Sequence, residues 1–297
     1  MEDKRELLKQ PLHGIYIPIL LILGGTLIFG VEYLPYSIAF IVIVGSSKIY
    51  QAWSRRSSLD KTVWRDFELI DKTIIGPMTS IYRFKLNRED EILDIPTGHH
   101  VACCFTIDGK DEVRYYSPIS NQFDAGFFDI LVKHYEKGKV TKRLAQLHEG
   151  QTVKFRGPFG KLNYESNVAK HLGLIAGGSG ITPILQVITK IITTPEDNTK
   201  ITLLFANETE KDILLKNEID EIAKKYPDFE VHYTLTYPPK SDWNGETGYV
   251  SKEMITKYMP QVSLENRIYI CGPPNMKISV RQQAEELGWE KENIFCF

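Results

Sequence analysis

Four short segments of the sequence combine residue types that bind phosphate groups or flat ring systems. The first, Arg114-Tyr115-Tyr116-Ser117-Pro118, offers a guanidinium, two aromatic rings and a hydroxyl at the end of a strand-like run. An Arg can hold a pyrophosphate through two parallel hydrogen bonds, and a Tyr can stack on a planar ring. Because side chains alternate along a strand, we expect Arg114 and Tyr116 on the same side. An ordinary exposed strand surface would also explain this segment.

The other three segments are glycine-bearing turns. Gly138-Lys139-Val140-Thr141 opens a short helical pattern whose free N–H groups could receive a phosphate, although a simple capped surface helix fits equally well. Gly177-Gly178-Ser179-Gly180 and Cys271-Gly272-Pro273-Pro274 each follow a buried strand. A strand, a glycine turn and a helix start are what a dinucleotide pyrophosphate requires. The full G-x-G-x-x-G fingerprint is absent, because Pro183 stands at the third glycine position, and a tight strand-to-helix turn is the alternative.

The elements that must position these segments fall into two regions. From 62 to 164, short alternating apolar runs are separated by glycine turns, which is typical of an antiparallel barrel or sandwich. Beyond about residue 170, buried strands alternate with helical patterns, which predicts a parallel, doubly wound sheet. In such a sheet the ligand lies at the carboxyl ends of the strands, where Gly177–Gly180 and Cys271–Pro274 both fall.

The N-terminal region is the least charged part of the chain. Between Gly14 and Ser47 the only charged residue is Glu32, and two apolar runs, 14–31 and 36–53, approach the ~20 residues that cross a bilayer core. Basic residues outside both runs favour a hairpin of two spans with both ends in the cytosol. A single tilted span with the other run in the interface, or a buried helix pair, are the alternatives. We therefore expect a membrane anchor and linker over 1–61.

Composition excludes several classes of protein. The 297 residues carry 36 Lys and Arg against 38 Asp and Glu, a net charge of −2, which argues against nucleic acid as a partner. A content of 42% hydrophobic and 25% charged residues excludes a disordered or collagen-like chain. The four cysteines form no CxxC pair and no zinc spacing, so we expect neither a disulfide framework nor a metal site.

Taken in order, the motifs resemble the NADH-cytochrome b5 reductase family of ferredoxin-reductase-like flavoproteins, in its fungal-type, membrane-anchored form. The resemblance runs from about Asp66 to Phe297 and is carried by Arg114–Pro118, Lys133–Tyr135, Gly138–Thr141, Arg156–Pro158, Ala176–Pro183, Cys271–Pro274 and Phe297. The run ANETEKDILLKNE, 206–218, is similar to the b5 reductase branch in particular. The resemblance implies a six-stranded antiparallel FAD barrel over 62–165, followed by a doubly wound NAD(P)-binding domain over 166–297.

On the barrel side, the resemblance implies that Arg114 neutralises the FAD pyrophosphate, Tyr116 packs on the isoalloxazine and Ser117 points at flavin N5. The remaining FAD-binding residues that it implies are Tyr115, Leu131, Lys133, Tyr135, Gly138, Lys139, Val140 and Thr141.

On the side of the second domain, the resemblance implies that Thr182 lies between nicotinamide and flavin and that Cys271 lines the nicotinamide pocket. Ser117, Thr182 and Cys271 are thus the catalytic candidates. The other implied NADH contacts are Gly178, Gly180, Gly272 and Pro273, and Gly177 and Phe297 complete the expected cofactor-binding residues. For Cys271, a small buried residue that ends a strand is the alternative interpretation.

The implied reaction is hydride transfer from NADH to FAD, followed by single-electron release to a haem protein, typically cytochrome b5. A basic patch could dock an acidic partner or be an ordinary solvated face; its members are Lys110, Lys133, Lys139, Lys142 and Arg143. Thr236 stands where many family members have an Asp that repels a 2′-phosphate, so NADPH stays open as the donor. Asn275 also departs from the usual small or apolar residue of its turn.

The sequence is also compatible with two other functions and with several membranes. The same flavin chemistry could serve a quinone or a ferric compound, or the chain could be a membrane scaffold that keeps the fold without catalysis. The family default places the catalytic part on the cytosolic face of the endoplasmic reticulum, with the mitochondrial outer membrane and the plasma membrane as alternatives. The lipid bilayer is an expected partner.

Overall fold

The computed structural model describes residues 30–54, 57–76, 78–120, 124–240 and 243–297. The chain divides into two compact units, Met1–Arg56 and Ser57–Phe297. In the first unit, a 3-10 turn over Val31–Tyr33 leads into helix α1, Leu34–Ser54. No helix in the described ranges combines the length and apolarity that crossing a membrane requires. The predicted span 36–53 is therefore helical but is not confirmed as a span, and nearly all of the run 14–31 lies outside the described residues.

The second unit begins with a six-stranded antiparallel sheet, as predicted. Its strands are β1 Arg65–Gly76, β2 Thr79–Lys85, β3 His100–Ile107, β4 Lys110–Tyr116, β5 Phe127–Lys133 and β6 Thr152–Phe159. They lie in the order β4-β3-β6-β1-β2-β5. An antiparallel bridge between Pro118 and Ile130 joins the segment after β4 to β5 and closes the sheet into a barrel. Closure places the end of β4 beside β5.

Aromatic side chains fill the barrel and hold these strands in register. Phe67, Phe84, Phe128 and Phe155 pack with ring centroids 4.8–5.8 Å apart, mostly edge to face. Helix α2, Lys139–Ala145, packs on this core through the buried Val140 and Leu144. The barrel therefore provides a rigid wall for the ends of β4 and β5.

Strand β1 was not predicted from the sequence, and its register explains why. Register shifts between Leu69 and Asp71 and between Ile74 and Gly76 interrupt its pairing with β2. A bulge reverses the side-chain alternation on which the prediction of a strand depends. Ile74 is consequently exposed at the barrel end rather than buried.

A second sheet of six parallel strands follows and confirms the doubly wound prediction. Its strands are β7 His171–Gly177, β8 Lys200–Asn207, β9 Phe229–Leu235, β10 Glu246–Thr247, β11 Asn266–Cys271 and β12 Ile294–Cys296, in the order β10-β9-β8-β7-β11-β12. The helices are α3 Ile181–Thr193, α4 Lys216–Lys225, α5 Lys252–Tyr258 and α6 Pro274–Glu286. The carboxyl ends of β7 and β11 are neighbours, because these strands pair directly.

Two details differ from the prediction in this region. The sequence pattern predicts a helix over 212–225, but the helix begins only at Lys216. Glu210–Asp212 forms a separate 3-10 turn, and Leu215 adopts a left-handed conformation with φ 54°. Strands β10 and β12, with two and three residues, are too short to show a periodic pattern. The domain limits 62–165 and 166–297 remain a proposal.

Candidate flavin and nicotinamide site

The end of β4 contributes charge and aromatic surface to one wall of a cleft. Arg114 has a half-exposed guanidinium, which lies 3.6 Å from the Glu112 carboxylate. Tyr115 is exposed and packs edge to face against His100, with centroids 5.1 Å apart. Tyr116 packs against the barrel core, and burial raises the pKa of its hydroxyl well above the usual value. The phenol therefore stays neutral and offers an aromatic face.

The glycine turn before α2 forms the floor of the same wall. A Cβ at Gly138 would lie 2.2 Å from Thr141 Oγ1 and 3.2 Å from Tyr135 O, so only glycine fits. Gly138 provides no side-chain hydrogen bond to the first turn of α2. The Thr141 hydroxyl instead donates to Gly138 O at 3.3 Å and stabilises the turn from within. The N–H groups of this turn are thus available to an anion.

Two ion pairs set the electrostatics of the cleft. Lys139 Nζ lies 2.5 Å from Glu112 Oε1, and this hydrogen bond lowers the pKa of the Glu112 carboxyl. Lys133 Nζ lies 2.8 Å from Asp212 Oδ1, beyond β8. Burial opposes ionisation of Asp212, but the hydrogen bonds from Lys133 and Thr209 hold its pKa below the usual value. Both carboxylates are therefore ionised at neutral pH.

The glycine turns of the parallel sheet pack directly against each other. A Cβ at Gly180 would lie 2.5 Å from Cys271 O and 2.7 Å from Gly272 N. Gly177 is less restricted, because its Cβ would meet the flexible Met276 side chain, with Sδ at 2.3 Å, rather than backbone. Gly178 differs: it has φ +52°, and no atom of the described residues lies within 4 Å of a built Cβ. The backbone at Gly178 is therefore open to a close-approaching ligand, as a pyrophosphate requires.

Residues from both sheets meet in one cleft of about 220 Å³. Its lining consists of Arg114, Tyr115, Tyr116, Leu131, Lys133, Tyr135, Gly138, Lys139, Val140, Thr141, Ser179 and Thr182. All of these except Ser179 are residues to which the resemblance assigns a cofactor contact. Thr182 is nearly buried and donates a hydrogen bond to Ser179 O at 3.2 Å, so the start of α3 faces the barrel wall.

The remaining predicted residues border this cleft without lining it. Ser117 follows the lining residue Tyr116 and is half-buried. Gly177, Gly178, Gly180, Cys271, Gly272 and Pro273 form the paired turns beside Thr182. Phe297 lies at the junction of the two sheets, where its ring would be 2.9 Å from a Cβ at Gly98 and Lys277 Nζ donates to its carbonyl at 2.6 Å. Their contacts with a cofactor remain predictions.

Cys271 is held as a neutral thiol. Burial raises the pKa of its thiol to about 11. A thiol that stays protonated at neutral pH is a poor nucleophile. The side chain therefore serves as a small, uncharged surface beside Gly180.

Three polar residues of the site have no role predicted from the sequence. Glu112 could have been found, because it stands two residues before Arg114 on the same strand and so on the same face. Ser179 lies inside the glycine turn itself. Asp212 gave no signal, since its partner Lys133 is 79 residues away. A larger cavity of about 320 Å³ beside β9 contains none of the predicted residues.

The residues present fit an FAD and a nicotinamide dinucleotide. The cleft offers a half-exposed guanidinium and a helix turn without a side-chain cap on the barrel side. It offers an open, left-handed glycine at the carboxyl end of a parallel strand on the other side. The barrel side suits the pyrophosphate of a permanently bound FAD. The parallel-sheet side suits the pyrophosphate of a nicotinamide dinucleotide that approaches the backbone closely.

Comparison with known proteins agrees with this arrangement. One family model, the oxidoreductase FAD-binding domain, matches residues 66–164, and another, the oxidoreductase NAD-binding domain, matches 174–282. The fold and these matches define an oxidoreductase that uses FAD and a nicotinamide dinucleotide.

Individual relatives narrow the assignment. The plasma membrane-associated coenzyme Q6 reductase PGA3 of Saccharomyces cerevisiae is 50% identical over 96% of this chain and 92% of its own length. NADH-cytochrome b5 reductase 1 of Ajellomyces capsulatus is 41% identical over 97% of each chain. The solved cytochrome b5 reductase domain of Ulva prolifera nitrate reductase is 31% identical, with a TM-score of 0.77 over 82% of this chain and all of that one. The chain belongs to the NADH-cytochrome b5 reductase family.

Proposed function

We propose that this enzyme takes a hydride from NADH onto FAD in the cleft between the two sheets and passes single electrons to a haem protein such as cytochrome b5. One observation carries the proposal: Arg114, Tyr116 and Lys133 of the barrel share a single cleft with Ser179 and Thr182 at the start of α3. When bound, the flavin accepts two electrons from the nicotinamide as a hydride and releases them one at a time.

The barrel residues would bind and orient the flavin. Arg114 would exchange its contact with Glu112 for the pyrophosphate, since two hydrogen bonds to a diphosphate are stronger than a contact at 3.6 Å. The open first turn of α2 would receive the neighbouring phosphate oxygens. Tyr116 would pack on the isoalloxazine ring, and the Ser117 hydroxyl would point at flavin N5.

The residues of the parallel sheet would place the nicotinamide over the flavin. Gly178 leaves room for the dinucleotide pyrophosphate, and Thr182 projects into the cleft. The neutral thiol of Cys271 would border the nicotinamide without reacting with it. Hydride transfer needs no side chain as acid or base, so these groups would act by orienting the two cofactors with their reacting atoms ~3–3.5 Å apart and by excluding water.

The charge distribution supports a protein acceptor, with a correction to the predicted patch. Lys133 and Lys139 are neutralised by Asp212 and Glu112, so they contribute little to docking. Lys110, Lys142 and Arg143 are exposed and form no salt bridge within the described residues. These three cations form the proposed docking patch for an acidic haem protein.

A quinone is the second candidate acceptor, and a relative favours it. The 50% identical yeast protein is named a coenzyme Q6 reductase. A quinone would need no basic patch, because it carries no charge. The two acceptors therefore predict different consequences of removing Lys142 and Arg143.

Reduction of cytochrome b5 and of coenzyme Q by the purified full-length chain with NADH tests the acceptor. We expect rapid haem reduction, and a double variant Lys142→Glu, Arg143→Glu should lower it about tenfold at low salt through slower association. Lys224→Glu, an exposed charge reversal on α4, is the matched control and should leave the rate unchanged. Quinone reduction without haem reduction would favour the second candidate and contradict the first.

The nicotinamide preference and the membrane also belong to this proposal. We propose NADH as the physiological donor, in keeping with the family name, although Thr236 provides no charge against a 2′-phosphate. We propose attachment to a membrane through the N-terminal region, with the catalytic unit in the cytosol. The apolar runs 14–31 and 36–53 support attachment. The yeast relative is described as plasma membrane-associated. Density-gradient fractionation distinguishes the plasma membrane from the endoplasmic reticulum. Alkaline carbonate extraction tests attachment, and recovery in the soluble fraction would contradict it.

A further inference from the structure

Gln186 connects the parallel sheet to the barrel through both ends of its side-chain amide. Its Nε2 donates a hydrogen bond to Pro118 O at 2.7 Å, and its Oε1 accepts one from the Gly98 N–H at 2.8 Å. Both partners are backbone atoms of the barrel, whereas Gln186 lies on α3. The neutral side chain of Gln186 thus connects α3 to two backbone segments of the barrel.

The barrel partners of Gln186 lie at fixed points of the fold. Pro118 forms the bridge to Ile130 that closes the barrel, and it directly follows Ser117. Gly98 adopts φ +79° and packs so tightly that a Cβ would lie 2.5 Å from Leu162 Cδ2 and 2.9 Å from the Phe297 ring. Neither segment can shift without disturbing its neighbours, so both are firm anchors.

On its own helix, Gln186 stands one turn after Thr182. Residues four apart lie on the same face of a helix, so Gln186 and Thr182 face the barrel together. The chain of contacts therefore runs from Thr182 through one helical turn to Gln186, across a hydrogen bond to Pro118, and on to Ser117. Its ends are the groups proposed to border the nicotinamide and the flavin.

We propose that Gln186 is a positioning residue for hydride transfer, which fixes α3 against the barrel so that the two rings are held at reaction distance. The inference rests on the proposed function of the cleft. In this step the hydride, with both of its electrons, would leave the donor carbon of the nicotinamide and bond to the flavin. The transfer would oxidise NADH to NAD⁺ and reduce FAD. Such a step is sensitive to geometry, and a misplacement of about 1 Å can cost about 10²-fold in rate.

A second contact between the sheets limits the expected loss. The ion pair between Lys133 and Asp212 joins them at another point and stays intact when Gln186 is changed. We therefore expect α3 to shift rather than separate, and the rate to fall about tenfold rather than vanish.

Two variants separate the donor and acceptor functions of the amide. Gln186→Leu removes both hydrogen bonds. Gln186→Glu keeps an acceptor for the Gly98 N–H, but its carboxylate cannot donate to Pro118 O. Once protonated, the Glu can donate and accept, so it imitates Gln. Gln283→Leu on α6 is the control, because Gln283 Nε2 donates to Ser279 Oγ on its own helix and to Val250 O just before α5.

The first readout is amide hydrogen exchange at Gly98, which does not depend on activity. We expect faster exchange in Gln186→Leu and near-native exchange in Gln186→Glu and Gln283→Leu. The second readout is the rate of flavin reduction at saturating NADH under nitrogen. We expect about a tenfold loss in Gln186→Leu with unchanged FAD content. In Gln186→Glu the loss should be reversed as pH is lowered through the pKa of the new carboxyl, an ionisation absent from the wild-type profile.

Native reduction rates in Gln186→Leu, or a Gln186→Glu profile without recovery at low pH, would overturn the positioning role. If Gln186→Leu does not fold, the Gln186→Glu profile still decides. A wild-type flavin that NADH does not reduce would contradict the proposed function itself, whereas a reducible wild type with insensitive variants contradicts only the role of Gln186.

Discussion

The barrel side of the cleft presents charged side chains, whereas the parallel-sheet side presents backbone and small neutral groups. Arg114 and Lys139 lie within reach of Glu112 on one side. Ser179 and Thr182 line the other side, next to the paired glycine turns. Charge-assisted hydrogen bonds favour tight binding, while an open backbone permits close approach without strong retention. The difference suits a flavin that stays bound and a dinucleotide that must leave after each turnover.

Removing the barrel-side charge should have the largest effect on cofactor retention. Arg114→Leu eliminates the guanidinium proposed to hold the FAD pyrophosphate. A hydrogen bond to a charged group contributes about 1.5–3 kcal/mol, so we expect FAD affinity to fall about 10- to 100-fold or more. Flavin fluorescence titration of the apoprotein measures it. Arg143→Leu, on the exposed face of α2, should retain native affinity; equal losses in both variants would contradict a specific role for Arg114.

Filling the space between the two glycine turns should weaken NADH binding on the parallel-sheet side without affecting FAD. In Gly180→Ala the new Cβ would meet the backbone at Cys271 and Gly272, which cannot rotate away. Overpacking of this kind costs about 1–3 kcal/mol, so we expect KM for NADH to rise about tenfold while FAD content is unchanged. Gly76→Ala is the control, since Gly76 has no positive φ and, among the described residues, its new Cβ would meet only Thr79 Cβ, at an ordinary 3.9 Å. Loss of FAD from Gly180→Ala would show that the two sides are not independent.

A negative charge at residue 236, on the parallel-sheet side, should increase the preference for NADH over NADPH. Thr236 follows β9, and its N–H donates to Asn207 O at 3.0 Å. In Thr236→Asp a carboxylate would repel a 2′-phosphate, and we expect discrimination against NADPH, as the ratio of kcat/KM values, to rise about tenfold. Thr236→Asn, which is isosteric but neutral, should not raise it. An unchanged NADH-to-NADPH ratio of kcat/KM in both variants would show that the 2′ position of the bound dinucleotide does not lie near residue 236.

The smallest expected effect concerns pH. Burial raises the folded-state pKa of Cys271 from its ordinary 9.0 to about 11. The stability that the neutral thiol contributes is therefore complete below about pH 9 and is lost as pH rises towards 11. Urea unfolding should show a steeper alkaline loss in wild type than in Cys271→Ala. Flavin reduction should stay flat across neutral pH, and a thiol ionisation in that profile would contradict the neutral role of Cys271.

The sequence predicted more of the site on the barrel side than of the contacts that join the two sheets. Strand alternation put Arg114 and Tyr116 together, and the glycine turns pointed to the carboxyl edge of the parallel sheet. Hydrogen bonds such as that between Gln186 and Pro118 join residues 68 positions apart, and no local pattern records them. The bulged strand β1 and the late start of α4 were missed for a related reason, because register shifts and the left-handed Leu215 interrupt periodicity.

The visible spectrum of the purified full-length protein, recorded under nitrogen before and after NADH, shows whether the chain binds a flavin that NADH reduces. We expect a flavin absorbance near one equivalent per chain that is bleached by about one equivalent of NADH. A colourless protein would favour a scaffold that keeps the fold without catalysis. Bound flavin that NADH cannot bleach would contradict the claim that this cleft brings the two cofactors together.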